Sequence, residues 1–409
     1  MNRGVVKFIE YIFAIVLILD GNSVYMTPTD MRSVYTLLCL IVLLAMSFLI
    51  IKKTNFDGIY ISILISVFSL FYFILRPSSV LLGITLFVAG LPLFIFYFIY
   101  CYRRNHFYSL LIRIENLIII LSGFSLFLWI IGPTLKLIEP NVVFYGDWGA
   151  WTYSDKVEGY FGLLFETQQE DGAFLESSIW RNTSIFAEGP MYNIWLDLSI
   201  TIELFVRKRA NAIRLMLLCT SLFTVFSTTG FLYFVIIFSF YLVGGHSLKK
   251  IVRLKIFLYI VSACVLYGMF LLVDLLISNK SNTGSFIGRL SGYLAGWECF
   301  FKEPLLGIGF LKGEKYGFGF TNSLSDVLGQ GGLWLFSILY YPFLRYAFFK
   351  RQYKNRVMSS LLITFVFLAV TTNFYTRFIF ILFIGFSYSY NYATKKYDKE
   401  KSRCPDCYI

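Results

Sequence analysis

Apolar residues dominate the chain in long runs. Segments of roughly 15–25 mostly apolar residues recur along the whole sequence, and about 20 such residues let an α-helix cross a bilayer. The pattern therefore predicts an all-α, polytopic integral membrane protein with about 12 transmembrane helices. The predicted spans are residues 6–20, 33–51, 58–75, 79–100, 107–131, 190–205, 213–226, 230–243, 256–276, 323–344, 357–370 and 378–393.

Two longer polar segments interrupt the runs, at residues 132–189 and 278–322. We expect both to be large external loops of a single membrane domain, residues 1–409, which ends in a cytoplasmic tail, residues 394–409. Apolar residues recur at helical spacing near residues 157–165 in the first loop and 286–301 in the second. Each loop is therefore predicted to contain a short amphipathic helix on the membrane surface.

Composition excludes a soluble domain of this size. The chain is 57% hydrophobic and 15% charged, whereas soluble chains carry about 25% charged residues. Its net charge of +12 would suggest a nucleic-acid partner in a soluble protein, but the lysines and arginines cluster after every second apolar run. That distribution follows the positive-inside rule. It predicts a multi-pass membrane protein with both termini in the cytoplasm and no nucleic-acid partner.

The cysteines and histidines give no sign of a metal site. Four of the seven cysteines lie in apolar runs, and the only closely spaced pair is Cys404 and Cys407 in the predicted tail. A single C-x-x-C without a second pair is weak evidence for zinc or redox chemistry. Both histidines, His106 and His246, fall on the predicted cytoplasmic side. We therefore expect no metal and no cofactor.

The end of the first external loop carries an arginine and a carboxylate, Arg181 and Glu188, beside apolar residues. A cation in such a place needs an anionic partner or contact with water. Two interpretations are open: a pocket for an anionic, lipid-borne substrate, or an interfacial arginine that contacts phospholipid headgroups. The second loop favours the pocket, because Arg289, Tyr293 and Trp297 recur every four residues and so share one helix face.

Other residues in the external loops suit a sugar substrate. Trp148 lies among tyrosines and carboxylates, and aromatic faces can cover sugar rings; an ordinary aromatic belt explains it equally well. Glu303 and Asn322 are further candidates for substrate binding, although Asn322 would also serve as the N-cap of the tenth span. Within the fifth span, Glu115 needs a partner from another helix, and a structural contact is the preferred interpretation.

Two motifs combine these residues. The first loop closes with R-x-x-S-I-F-x-E-G-P at residues 181–190, and the second carries R-x7-W-x6-P-L-L-G-I-G-F at residues 289–310 and then T-N-S-L at residues 321–324. With the helix count and loop layout, they resemble the O-antigen and capsular polysaccharide polymerase family, the Wzy type. The resemblance to the O-antigen ligases is more distant. Those ligases commonly have a histidine before the Asn-Ser step, where this chain has Thr321.

The resemblance implies a membrane glycosyltransferase with a GT-C-like fold. Members of the family join oligosaccharide repeat units, carried on undecaprenyl diphosphate, at the outer face of the bacterial cytoplasmic membrane. One lipid-linked unit is the donor and another is the acceptor. By motif, Arg181 and Arg289 would be the loop arginines that grip the donor diphosphate. Membrane lipid and a polysaccharide chain-length regulator are further candidate partners.

The chemistry of the residues agrees with such a reaction. Breaking a sugar–diphosphate bond leaves negative charge, which two arginines can stabilise without a metal. The acceptor hydroxyl must lose a proton, and Glu188 is the first candidate for the general base, with Glu298 and Glu303 behind it. Alternatively, Glu188 pairs with Arg181 and holds the loop. The candidates for substrate binding are Asn322, Tyr293, Trp297, Glu303 and Trp148.

Two other functions remain open. An O-antigen ligase-type transferase would be similar, but it is disfavoured by the missing external histidine. A lipid-linked oligosaccharide flippase would also have about a dozen spans, yet transporters place charges at mid-membrane and often contain internal repeats. Here most external charges lie in two unequal loops, and the two halves of the sequence show no similarity. We therefore expect a metal-independent polysaccharide polymerase.

Overall fold

The computed structural model describes residues 3–27, 31–51, 57–77, 80–145, 156–169, 179–243, 284–316, 318, 322–349 and 355–403. Most of these residues are helical and few are in strands. The α-helices are α1 (Arg3–Asp20), α2 (Met31–Ile51), α3 (Asp57–Leu75), α4 (Val80–Gly83), α5 (Leu91–Arg103), α6 (Ser109–Trp129), α7 (Gly189–Thr201), α8 (Ala212–Thr224), α9 (Thr228–Val243), α10 (Gly284–Lys302), α11 (Ser323–Phe349), α12 (Arg356–Thr371) and α13 (Phe378–Arg403). π-helical turns join α4 to α5 and extend α6 and α7; they are Ile84–Gly90, Ile130–Thr134 and Ile202–Val206.

Four helical segments within the described ranges are long and apolar enough to cross a membrane. They are Met31–Leu49, Leu81–Arg103, Ser109–Thr134 and Ser323–Ala347. Shorter apolar helices also coincide with predicted spans; they are Ile59–Leu75, Ala212–Thr224, Thr228–Leu242 and Arg356–Thr371. These features agree with a helical membrane protein. The predicted span at residues 256–276 and the tail beyond residue 403 lie outside the described residues.

Helices α5 and α13 pack together through small residues. A Cβ atom on Gly385 would lie 2.6 Å from the Cβ of Phe94, so the two helices approach closely because glycine has none. The Oγ of Ser389 donates to the Ile95 carbonyl at 3.0 Å. The hydrophobic effect does not drive helices together within lipid. Close packing and hydrogen bonds of this kind therefore stabilise the pair. In contrast, α2 exposes large apolar side chains such as Phe48, as a lipid-facing helix would.

The first loop contains a three-stranded antiparallel sheet. Its strands, in order across the sheet, are β1 (Val142–Tyr145), β2 (Lys156–Tyr160) and β3 (Leu164–Phe165). Phe144 lies opposite Val157, which was expected to begin a surface helix. The predicted amphipathic helix near residues 157–165 is therefore wrong. Phe161 and Gly162 have positive φ angles of 51° and 70°, so they form the turn between β2 and β3 and cannot continue a right-handed helix.

The amphipathic helix predicted in the second loop is confirmed as α10. Ile287, Leu290 and Leu294 share one face and are each more than half exposed (57%, 52% and 59%). The opposite face lies against α11, where a Cβ atom on Gly296 would come within 3.0 Å of the Ser325 Cβ. Helix α10 thus rests on the bundle and presents an apolar stripe outward.

Helix α11 is broken at Gly332, whose φ of 57° and ψ of −164° are not helical. Backbone groups at the break pair with the P-L-L-G-I-G-F segment that follows α10. The Leu333 amide donates to the Pro304 carbonyl at 2.8 Å, and the Ile308 amide donates to the Gly329 carbonyl at 3.1 Å. The groups that the break removes from helical pairing are thereby satisfied. This part of the second motif joins α10 to both halves of α11.

The loops that the sequence predicts to be external meet at one end of the bundle, which we call the loop end. It comprises residues 21–27 and 372–377 and the described parts of residues 132–189 and 304–322. The Val24 amide donates to the Ile185 carbonyl at 2.7 Å, and the Ser323 amide donates to the Thr372 carbonyl at 3.1 Å. Segments that are far apart in sequence are therefore hydrogen-bonded to one another at this end.

A buried ion-pair network lies at the opposite end, which we call the tail end because α13 runs toward it. The Nη2 atom of Arg207 lies 2.7 Å from Oε2 of Glu115, and Arg214 lies 3.4 Å from the other oxygen. Glu115 is fully buried, and an unpaired carboxylate there would cost several kcal/mol. Glu115 thus has the kind of partner expected from the sequence, a structural contact from another element.

Candidate functional site

The segment that carries Arg181 is fixed at both sides by backbone hydrogen bonds. The Arg181 amide donates to the Gln168 carbonyl at 2.9 Å, and the indole of Trp129 donates to the Trp180 carbonyl at 2.7 Å. Trp180 also forms a bridge with Gln169. These bonds attach the segment to the sheet-bearing loop and to the end of α6. The position of Arg181 is thus set by tertiary contacts.

The three polar residues after Arg181 hold the segment in place. Asn182, Thr183 and Ser184 are fully buried. The Asn182 amide group donates to Thr224 Oγ1 at 3.1 Å, the Thr183 hydroxyl donates to the Phe165 carbonyl at 3.1 Å, and Ser184 adopts a positive φ of 52°. Their side chains are directed into the protein. The sequence R-N-T-S thus divides into one partly exposed cation and three buried residues that hold the segment.

Phe186 anchors the end of the segment to α7. Its ring is buried and stacks on Tyr192 and Trp195, with centroid distances of 5.4 and 6.4 Å. Glu188 follows in an extended conformation and is the N-cap residue of α7, but its side chain forms no capping hydrogen bond. The backbone carbonyl of Glu188 starts the helix by accepting from the Met191 amide at 3.1 Å. The carboxylate is therefore available for another interaction.

Arg289 approaches from the second loop. It lies on α10, which glycine contacts hold close to α11. Burial lowers the pKa of the Arg289 guanidinium, the charge of Glu188 raises it, and the charge of Arg181 lowers it. Both residues therefore lie close enough for their charges to act on Arg289, although the three come from separate parts of the chain. Arg289 as a whole keeps an exposed surface, while its guanidinium is partly enclosed by the neighbouring side chains.

The electrostatics identify the counter-charge of Glu188. Burial raises the pKa of this carboxyl group above its usual value of 4.5, and the charge of Arg289 opposes that rise. The cation that acts on Glu188 is thus on the second loop. In the sequence, the alternative to a general base was a pair between Glu188 and Arg181 within one loop. A carboxylate with a raised pKa is a stronger proton acceptor than a free one.

Tyr293 and Trp297 continue the Arg289 face along α10. Their rings are partly buried, with centroids 6.2 Å apart and planes inclined at 64°. This arrangement produces an aromatic surface one to two helical turns from the guanidinium. Aromatic faces of this kind can cover the apolar faces of sugar rings.

The remaining predicted site residues have structural contacts or lie outside the described ranges. Oδ1 of Asn322 accepts from the Ser325 amide at 2.8 Å, which is the N-cap interaction that the sequence offered as the alternative to substrate binding. Glu303 forms an ion pair with Arg76 at the end of α3. Trp148 lies in an undescribed part of the first loop. Among the described residues, no set of three or more His, Cys, Asp and Glu side chains could hold a metal ion.

The structure also shows two loop-end arginines that the sequence analysis did not single out, Arg32 and Arg377. The charge of Arg32 lowers the pKa of Arg377, after the larger effect of burial. Arg377 donates to Asn22, whose carbonyl accepts from the Ala187 amide, next to Glu188. A single arginine between two predicted spans is an ordinary loop feature. Its proximity to a second arginine is a property of the tertiary structure alone.

Comparisons with known proteins add no identification. No protein-family model, no curated protein and no solved structure matches the chain. The resemblance of the two motifs to the polysaccharide polymerases therefore stays a prediction from the sequence. The function has to be argued from the residues at the loop end, their charges and the membrane character of the helices.

Proposed function

We propose that this protein is a membrane glycosyltransferase that joins lipid-linked oligosaccharide repeat units into a surface polysaccharide. The observation that carries the proposal is the convergence of Arg181, Glu188 and Arg289 at the loop end, where the charges of Arg181 and Glu188 both act on Arg289. In the full proposal, about 12 spans cross the bacterial cytoplasmic membrane and the loop end faces outward. The fold would be of the GT-C kind.

The two arginines would bind the diphosphate of the donor. The bond between the anomeric carbon of the growing chain and the diphosphate oxygen breaks, and the electron pair stays on the diphosphate. Arginine suits the leaving group because its planar fork binds two phosphate oxygens and keeps its charge. Arg181 and Arg289 come from separate loops, so a bridging diphosphate would also relieve their mutual repulsion.

Glu188 would act as the general base. A hydroxyl oxygen of the incoming unit forms the new bond to the anomeric carbon, and its proton passes to the Glu188 carboxylate. Burial, which raises the pKa of Glu188, supports this role, and the charge of Arg289 opposes that rise and favours the ionised form. Tyr293 and Trp297 would bind sugar rings beside the diphosphate. The products are a chain longer by one unit and a released undecaprenyl diphosphate.

A reconstituted reaction tests the proposal. Purified protein in lipid nanodiscs is incubated with a defined undecaprenyl-diphosphate-linked repeat unit, and products are separated by size. We expect a ladder for the wild-type protein and no product beyond the single unit for Arg181→Ala and Arg289→Ala. Arg104→Gln is the matched control, because Arg104 is an exposed arginine at the tail end and its loss should leave the ladder intact.

The ladder assay and a deletion strain distinguish the proposed polymerase from a flippase and from a ligase. A flippase would yield no ladder and would instead move the lipid-linked unit across the bilayer, which a deletion strain reports by accumulation on the inner side. A ligase would transfer one finished chain to a lipid acceptor without a ladder. Wild-type ladders from both arginine variants would contradict the diphosphate clamp.

A further inference from the structure

Arg32 and Arg377 each lie at the start of a helix at the loop end. Arg32 is the second residue of α2, and Arg377 directly precedes α13. The N-terminus of a helix carries a partial positive charge and unpaired backbone N–H groups. Two guanidinium groups and the N-terminus of α2 therefore concentrate positive charge in one place, whereas the first amide of α13 is already paired with Asp20. Such an arrangement favours a bound anion.

The hydrogen bonds of the two arginines go to neutral groups. Arg377 donates to Oδ1 of Asn22 at 2.8 Å and to the sulfur of Met26 at 3.2 Å. Arg32 donates to Oγ1 of Thr376 at 3.2 Å. In the described part of the chain, no carboxylate lies within ion-pair distance of either guanidinium. A thioether is a weak acceptor, so Arg377 has donor capacity for a stronger one.

One carboxylate, Asp20, interacts electrostatically with both arginines, and its oxygens are already engaged. It is 1% exposed, and its oxygens accept from the Phe378 amide at 2.9 Å and from the Thr36 hydroxyl at 3.2 Å. Asp20 acts on both arginines at longer range. Two cations thus share one carboxylate, which leaves an excess of positive charge. Two cations this close to each other are unfavourable unless an anion lies between them.

This pair lies beside the Arg181, Glu188 and Arg289 site. Asn22 connects the two: its side chain accepts from Arg377, and its carbonyl accepts from the Ala187 amide at 3.0 Å. Ala187 immediately precedes Glu188. A group bound at Arg32 and Arg377 would therefore lie on the same side of the bundle as the proposed base and close to it.

Helix α2 extends from Arg32 with an exposed apolar stripe. Leu37, Ile41, Leu44 and Phe48 recur at helical spacing, and each is about half exposed or more (54%, 50%, 47% and 69%). A long hydrocarbon chain could follow this stripe into the bilayer while its headgroup stayed at Arg32. The cation and the apolar stripe together match a lipid with an anionic headgroup.

We propose that Arg32 and Arg377 bind the diphosphate of a second lipid-linked molecule, the acceptor. A polymerase must hold two such molecules at once, and the Arg181 and Arg289 site accounts for only one. The acceptor role rests on the proposed function, whereas the anion site rests on the contacts of the two arginines alone. In this arrangement the acceptor hydroxyl approaches Glu188 from the α2 side. The donor diphosphate lies on the α10 side.

Native mass spectrometry counts the sites. The full-length protein, in nanodiscs of zwitterionic lipid, is titrated with undecaprenyl diphosphate. We expect two bound molecules for the wild-type protein, one for Arg32→Gln, one for Arg289→Ala and none for the double variant. Arg104→Gln should still bind two. Two bound molecules in Arg32→Gln, or a wild-type maximum of one, would overturn the proposal.

A further variant, a competing lipid and the ladder assay distinguish failure of the second site from failure of the proposed function. Arg377→Lys keeps the charge and should retain two molecules, so loss in this variant with an unchanged melting temperature would contradict a purely electrostatic site. Phosphatidylglycerol is then added as a competitor. If it displaces the Arg32-dependent molecule as effectively as added undecaprenyl diphosphate does, the site binds phospholipid and the acceptor role is wrong. If Arg32→Gln loses one molecule while Arg181→Ala and Arg289→Ala make normal ladders, the second site stands and the proposed function fails.

Discussion

At the scale of single residues, burial and the charge of Arg289 act in opposite directions on the pKa of Glu188. Burial raises the pKa of the carboxyl group above 4.5 by more than the Arg289 guanidinium lowers it, so the pKa of Glu188 lies above its usual value. Removing the guanidinium would remove only the lowering effect. The pKa of Glu188 would then rise further, and a smaller fraction would be ionised at any given pH.

Replacement of Glu188 tests its role as the base. We expect Glu188→Gln to reduce the rate by about 10²–10⁴-fold, the usual contribution of a general base, with the protein still folded. The measurement is single-turnover transfer between purified lipid-linked units. Glu158→Gln, which removes an exposed carboxylate paired with Lys156, is the control and should keep the wild-type rate. Retention of activity in Glu188→Gln would leave this residue a structural role only.

The pH dependence of the reaction follows from the interaction of Glu188 with Arg289. The base must be ionised, so the wild-type rate should fall as the pH drops through the raised pKa of Glu188. Arg289→Lys keeps a positive charge, so the pH at which the rate falls on the acid side should not change. In Arg289→Gln, the residual activity should fall at a higher pH. If the pH of this fall is unchanged in Arg289→Gln, the group that titrates is not Glu188.

At the scale of elements, the broken helix α11 depends on two glycines. Gly307 and Gly332 have φ angles of 62° and 57°, a region that favours glycine. A Cβ atom on Gly332 would lie 2.6 Å from the Gly307 nitrogen and 2.6 Å from the Leu305 carbonyl carbon. The break and the motif that fills it are therefore unstrained only if both positions lack a side chain.

Alanine at these glycines should destabilise the protein. We expect Gly332→Ala to lower the free energy of unfolding by about 1–3 kcal/mol, because it combines an unfavourable φ with contact to backbone atoms. Gly288→Ala is the matched control: no atom lies within 4 Å of its added Cβ, and it lies in the helix α10. Thermal unfolding in detergent measures both. Equal melting temperatures would show that the break tolerates a side chain.

The elements also show why one prediction was wrong. The segment at residues 157–165 has apolar residues at spacings compatible with a helix, so local pattern favoured a surface helix. In the structure, β2 pairs with β1, and that partner comes from a separate part of the loop. Pairing with β1 satisfies the backbone N–H and C=O groups of β2, and a local sequence pattern cannot identify such a partner. Long apolar helices were predictable because all their backbone bonds are internal.

At the scale of the whole molecule, the loops of one end carry the candidate site and those of the other carry the buried ion pairs. At the loop end, backbone hydrogen bonds join residues 21–27 to the first loop and Thr372 to Ser323 at the start of α11. The tail end holds Glu115 between Arg207 and Arg214. Among the described residues, the basic clusters at 103–104 and 207–209 lie toward the tail end, which the positive-inside rule predicts to face the cytoplasm.

Labelling of single cysteines tests this orientation. Ser291 on α10 and Arg104 after α5 are exposed at opposite ends. In a background whose native cysteines are replaced by serine, a membrane-impermeant thiol reagent should modify Ser291→Cys in intact cells. It should modify Arg104→Cys only after permeabilisation. The reverse pattern would place the arginine site on the cytoplasmic side and remove the basis of the proposed function.

The sequence alone determined the class of this protein, because the length and spacing of apolar runs are local properties that a bilayer converts directly into helices. It also indicated the arginines at 181 and 289, the carboxylate at 188 and the capping role of Asn322. Only the tertiary structure decided which charges meet. Arg289 with Glu188, Arg76 with Glu303 and Arg32 with Arg377 come together because helices far apart in the chain pack side by side, and electrostatic forces depend on distance through space.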